Sequence, residues 1–179
     1  MIIKLSGILA MVFAWVLVVI PGLHAGIDGK SQTISFATKN KAYRTIINSG
    51  LVGGGLLQIL FLSYLVGRYL LSYFNLGVLM YLSTTIITIS VAFFPEPTYP
   101  KIHKKLARYY FVVNPLSLMI IGLSIKEKCS PLFFASAIIP LLYFIGLIFL
   151  IKKYKTENAL MQAWAFLLLS FWTAIATFQ

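Results

Sequence analysis

Leu76–Phe94 reads LGVLMYLSTTIITISVAFF and runs straight into Pro95-Glu96-Pro97-Thr98-Tyr99-Pro100-Lys101-Ile102-His103-Lys104-Lys105-Leu106-Ala107-Arg108. The first part carries no charge and has the length a membrane-crossing helix needs, about 20 mostly apolar residues. The second part gathers three prolines, one carboxylate, one histidine and four cations. Proline fixes φ and lacks a backbone donor, so no helix interior is possible before Pro100. Residues that precede a proline are pushed out of helical dihedrals too. The pair therefore reads as a spanning helix, a rigid connector, and a new helix entered near Lys101.

Working outward, the same pattern recurs. Further apolar stretches are Leu5–Leu23, Ile46–Val66, Tyr109–Ile125, Leu132–Ile151 and Ala159–Phe178. The chain has 179 residues, 60% of them hydrophobic and only 11% charged, against roughly 25% charged in soluble domains. The expected fold is all-α: a single domain over 1–179, built as a bundle of six transmembrane helices. Leu5–Leu23 is longer than the apolar core of a signal peptide, and Leu23 is not the small residue that cleavage prefers, so it reads as an uncleaved first span.

Local features fill in the bundle. Gly50 and Gly53-Gly54-Gly55 in span two predict close helix packing. Ser83, Thr84, Thr85, Thr88 and Ser90 in span three predict hydroxyls bonded to their own helix or to a neighbour. Pro115 and Pro140 interrupt spans four and five, and Asn114 is placed to re-satisfy a freed carbonyl. Thr156 reads as the cap of span six, and Trp164 as a residue of the interfacial aromatic belt. The long first connection contains Thr33-Ile34-Ser35-Phe36, apolar enough to dip into the interface or pack back on the bundle. The lone Cys129 excludes an intrachain disulfide and reads as a free thiol.

Charge gives an orientation. The odd-numbered connections hold Lys30, Lys39, Lys41 and Arg44, then Lys101, Lys104, Lys105 and Arg108, then Lys152, Lys153 and Lys155. That is eleven of the fifteen cations; Lys4, Arg68, Lys126 and Lys128 fall on the other side. The positive-inside rule then places the odd connections in the cytoplasm and both termini outside, in a multi-pass protein of the cell membrane. A net charge of +11 located in loops points to phospholipid headgroups. No nucleic-acid motif accompanies it.

Candidate chemistry converges on this same face. His103, Glu96, Ser35 and Asp28 form the candidate polar site, with Lys101, Lys104, Lys105 and Arg108 as headgroup contacts. A Ser/His/acid set is possible there, but no nucleophile elbow, phosphate loop, dinucleotide fingerprint or H-E-x-x-H stands in the chain. Two histidines and a distant cysteine give no recognisable metal pattern, so neither a metal nor a cofactor is expected. No ionisable residue lies deep in a span, which argues against proton-coupled transport.

Three pieces of the chain resemble the six-span prokaryotic membrane proteins known as the domain of unknown function 998 family. Thr33-Ile34-Ser35, followed by the glycine-rich second span, looks like that family's T-I-S segment. Phe94-Pro95 with His103 resembles its F-P…H signature, and Gln162 with Trp172 is similar to its last span. The chain departs from the pattern at Pro97, where the family often has an acid, and at Ala163, where it often has arginine. The family is distantly similar to eukaryotic six-span proteins linked to plasma-membrane lipid organisation, usually drawn with the first loop outside. No activity is established for the family, so the resemblance implies a six-span fold and leaves the function to the residues.

Three functions therefore stand. The leading one is a non-enzymatic protein that binds lipid, anionic by charge, or a membrane-protein partner or second copy of itself, through its cationic loops. The second is a membrane-embedded enzyme acting on a lipid headgroup, with His103 as acid–base. The third is a small pore or carrier lined by Thr84, Thr88, Asn48 and Gln58.

Overall fold

The computed structural model describes residues 2–125, 130–155 and 157–179. Lys126, Glu127, Lys128, Cys129 and Thr156, read above as loop charges, a free thiol and a helix cap, lie outside the described residues. The elements are α1 (Ile2–Phe13), a π-helical stretch (Ala14–Val19), α2 (Ile20–His24), a 3-10 helix (Ile34–Lys39), α3 (Lys41–Tyr69), α4 (Leu76–Phe93), α5 (Pro100–Ser124), α6 (Pro131–Tyr154) and α7 (Ala159–Phe178). Six helices are long and apolar enough to cross a membrane, the first formed by α1, the π stretch and α2 together. The all-α six-helix architecture read from the sequence is the one observed.

Local chemistry explains the element ends. Pro21 has no N–H and its ring crowds the carbonyl four residues back. The preceding turn widens accordingly, and the Ile20 N–H reaches the Trp15 carbonyl, five residues away. Asn75 caps α4 by accepting from the N–H groups of Gly77 and Val78. Ser130 caps α6, with Pro131 at the first position where a missing donor costs nothing. Pro100 opens α5 in the same way. The cap of α7 is Asn158, whose Oδ1 accepts from the Met161 N–H at 3.0 Å. The sequence placed that cap at Thr156.

The six spans form a closed ring. Each packs against its neighbour in sequence, and α7 returns to α1. Small residues permit the closest approaches. A Cβ at Gly50 would lie 2.7 Å from Leu17 Cβ, and one at Gly55 would lie 2.5 Å from Ile89 Cγ1. Phe61, Leu65, Tyr81, Tyr110, Leu118, Ile121, Tyr143 and Trp172 fill the middle. What remains there is a cavity of about 10 Å³, lined in part by Gln58, Tyr81, Asn114 and Thr173. Facing outward are Leu56, Leu60, Ile86, Leu141, Ile148 and Phe149, all exposed, a surface suited to hydrocarbon rather than water.

One expectation about a single side chain changes. Trp164 is half-buried against Gly146 of α6, and its indole Nε1 has no hydrogen-bond partner among the described residues. It is a packing residue and not a headgroup anchor. Beside Pro115, Asn114 Oδ1 is buried without a partner among the described residues, and the Ser117 hydroxyl donates to the Asn114 backbone carbonyl at 2.6 Å.

Candidate functional site

The three cation-rich connections meet at one end of the ring, and the first of them is folded inward. Its 3-10 helix puts Ile34 and Ala37 into a small cluster with Val18, Val19, Ile47 and Ala159. So the Thr33–Phe36 segment packs back on the bundle. Polar groups fix its position. The Ile34 N–H donates to Gln162 Oε1 at 2.7 Å, and the Ala159 N–H donates to the Gln32 carbonyl at 2.7 Å. A buried backbone donor needs such a partner, because leaving it unpaired costs about 1–3 kcal/mol.

Glu96 lies between the first and third connections. One carboxylate oxygen accepts from the Thr33 hydroxyl. The other is 3.9 Å from Lys104 Nζ, and the Glu96 side chain is only 12% exposed. A second ion pair follows one helical turn along α5, where the Arg108 Nε–H donates to Glu157 Oε1 at 2.6 Å. Lys104 and Arg108 are four residues apart and share one flank of the helix. Together with Thr33, Glu96, Lys155 and Glu157 they line a cleft of about 520 Å³. Lys155 enters it from the left-handed turn that ends α6, with φ of 57°. Lys101 and Lys105 are exposed and do not line the cleft.

His103 is buried, 3% exposed. Its Nδ1 lies 2.8 Å from the Phe94 carbonyl oxygen. A carbonyl only accepts, so Nδ1 carries the proton, and in the neutral ring Nε2 is the acceptor. The ring lines an interior apolar cavity of about 60 Å³ together with Ser35, Thr88, Tyr110 and Gln162. His103 and Ser35 are thus brought to one cavity. Both candidate carboxylates are engaged elsewhere. Glu96 holds Thr33 and Lys104, as described. Asp28 sits in an exposed turn, where it accepts from the Ser31 hydroxyl at 2.5 Å and the Lys30 N–H at 3.1 Å. The Ser31 hydroxyl foremost, then the Lys30 amide, holds the Asp28 carboxyl below the ordinary carboxylate range.

A third space adjoins the cleft. Below Arg108 and Glu157 a groove of about 260 Å³ runs between α5, α6 and α7, walled by Phe111, Val112, Phe144, Leu147, Ile148 and Met161. Arg108, Ile151 and Glu157 border both spaces. The sequence reading placed Lys155 and Glu157 on this face without assigning them to the site, and it missed the Thr33–Glu96 bond and the groove altogether. Thr33 and Glu96 are 63 residues apart, and nothing local in either segment signals the pairing.

Among the described residues, no three His, Cys, Asp or Glu side chains come together as a metal-binding group. The hydroxyls of Thr84, Thr85 and Thr88 donate to carbonyls of their own helix. Gln58 accepts from Thr85 at 3.4 Å. Chemically, the loop face offers a pair of partly shielded carboxylates, three cationic side chains around a cleft, and an apolar wall below them. Compared with known proteins, the chain matches no family model, no curated protein and no solved structure.

Proposed function

We propose that this chain is a non-enzymatic integral protein of the cell membrane that binds anionic lipid through its cationic loop face, with that face in the cytoplasm. The observation that carries the reading is the convergence of Lys104, Arg108 and Lys155 around one cleft at the loop end of a six-helix ring. Each Lys or Arg near an anionic membrane surface contributes about 1 kcal/mol of attraction. A membrane-protein partner that presents acidic side chains is the other occupant this charge suits.

The two rival functions draw less support. For acid–base chemistry, His103 shares a cavity with Ser35 but has a backbone carbonyl at Nδ1 where an orienting carboxylate would be wanted. For a pore, Gln58 borders a central cavity of only about 10 Å³, and the Thr84 and Thr88 hydroxyls are turned to carbonyls of their own helix. The test is lipid analysis by mass spectrometry of the protein purified in mild detergent. Anionic phospholipid enriched over the bulk membrane is expected. A co-purified lipid profile equal to the bulk would remove the reading.

A further inference from the structure

The cleft and the groove are continuous, and their polarity changes in one direction. At the loop end stand Lys104, Arg108 and Lys155; one to two turns deeper the walls are Val112, Leu147 and Ile148. On α6 the lining runs from Ile151 to Phe144, about 10 Å along the axis at 1.5 Å per residue. Val112 and Ile148 are both about half exposed, at 51% and 54%. The groove is therefore open to the side, toward the hydrocarbon. A polar, net-cationic head region joined to a narrow, laterally open apolar slot is complementary to a single amphiphile. It is too small for a partner helix, whose diameter is roughly 10–12 Å.

We propose that cleft and groove form one site for a single anionic glycerophospholipid. Its phosphate lies between Arg108 and Lys104 or Lys155, and one acyl chain lies between α5 and α6, over Val112, Leu147 and Ile148. The inference rests on the lipid-binding reading above and adds a defined pose to it. Bilayer chains are as apolar as the groove walls, so the groove gains little from the hydrophobic effect. The headgroup selects the lipid and the groove fixes where its chain goes. Glu157 has a definite part: it already accepts from Arg108, so it competes with the phosphate for the guanidinium and sets the affinity.

The experiment uses the full chain in detergent, titrated with phosphatidylglycerol and read by native mass spectrometry. A parallel sample carries phosphatidylglycerol with a mid-chain diazirine for photocrosslinking. Arg108→Gln should weaken binding about fivefold, the equivalent of one surface cation. Glu157→Gln should strengthen it by a similar factor, which a purely structural role for the ion pair does not produce. Crosslinks should fall on the peptides holding Val112, Leu147 and Ile148, and Val112→Trp should remove them while lipid counts fall less. If Val112→Trp fails to fold, Ile148→Trp replaces it, and the wild-type crosslink map alone decides the pose.

Crosslinks spread evenly around the ring, with Arg108→Gln still weakening binding, overturn the groove but leave the lipid reading intact. Equal binding of phosphatidylglycerol and phosphatidylcholine, unaffected by Arg108→Gln, overturns both. Displacement of phosphatidylglycerol by millimolar inorganic phosphate makes the cleft an anion site and overturns the lipid as its occupant.

Discussion

At the scale of single residues, His103 is a hydrogen-bonding group before it is anything else. Replacing it with glutamine keeps a donor within reach of the Phe94 carbonyl, so thermal unfolding in detergent should hardly change. His103→Leu strands that carbonyl in a buried setting and should cost about 1–3 kcal/mol. A comparable loss in both variants would mean that the imidazole does something an amide cannot. Asp28 gives a pH test. Its carboxyl is held below the free value of 3.8. A lowered folded value stabilises the folded turn above that ordinary value and loses the contribution as pH falls through the lowered one. The protection factors of the amides across Asp28–Gln32, corrected for the intrinsic exchange rate at each pH, should therefore fall on acidification, and Ser31→Ala should move the onset to higher pH. The sequence named His103, Glu96, Ser35 and Asp28 as one polar site. Their shared end of the molecule was legible because loops and cations declare themselves. Their partners were not: Asp28 bonds within four residues of itself, and Glu96 bonds to a threonine far upstream.

At the scale of elements, the glycine-rich stretch of α3 separates two kinds of glycine. Gly50 faces Leu17 and Val18, with the Leu17 carbonyl carbon 3.2 Å from where a Cβ would stand. Backbone does not move aside as a side-chain tip does, so Gly50→Ala should destabilise by about 1–3 kcal/mol. At Gly54 the nearest atom to a Cβ is the Ala10 carbonyl oxygen at 3.6 Å, ordinary contact. Gly54→Ala should be neutral or stabilising, since alanine favours helix by about 1 kcal/mol over glycine. Parallel melting curves check both. Sequence density of glycine announced close packing. It did not distinguish the two positions, because that depends on which face of α3 meets the first span. An asparagine or serine before an apolar run caps α4 and α6, at Asn75 and Ser130. For α7 the sequence reading chose Thr156, and the observed cap is Asn158, whose Oδ1 accepts from the Met161 N–H.

At the scale of the whole molecule, six apolar segments joined mostly by short connections leave few ways to pack, and a ring in chain order is among the simplest. That much follows from hydropathy and loop length. Closure of α7 onto α1, and the clefts it creates, depend on side chains that meet across the full length of the chain, where one sequence carries no pairing signal. Orientation is open to direct measurement. Single cysteines introduced at Ser31 and at Lys104, in a Cys129→Ser background, should be labelled by a membrane-impermeant maleimide only after the cytoplasmic side is opened. Labelling of both in intact cells would invert the topology.

The tie between the first connection and the last helix also has a consequence in time. Ile34 takes its acceptor from Gln162, 128 residues later, and Gln32 receives the amide that begins α7. A chain emerging from the ribosome makes the first loop long before either partner exists. The groups that pair with the last helix must wait through the insertion of four further spans, and their bonds close only when the sixth arrives. A chain truncated before Ala159 should therefore insert its earlier helices yet leave the bonds around Lys30 and Lys39 open to trypsin. In the full-length protein the same bonds should be resistant. Limited proteolysis of the two forms in membranes would make this loop a timer for the completion of the fold.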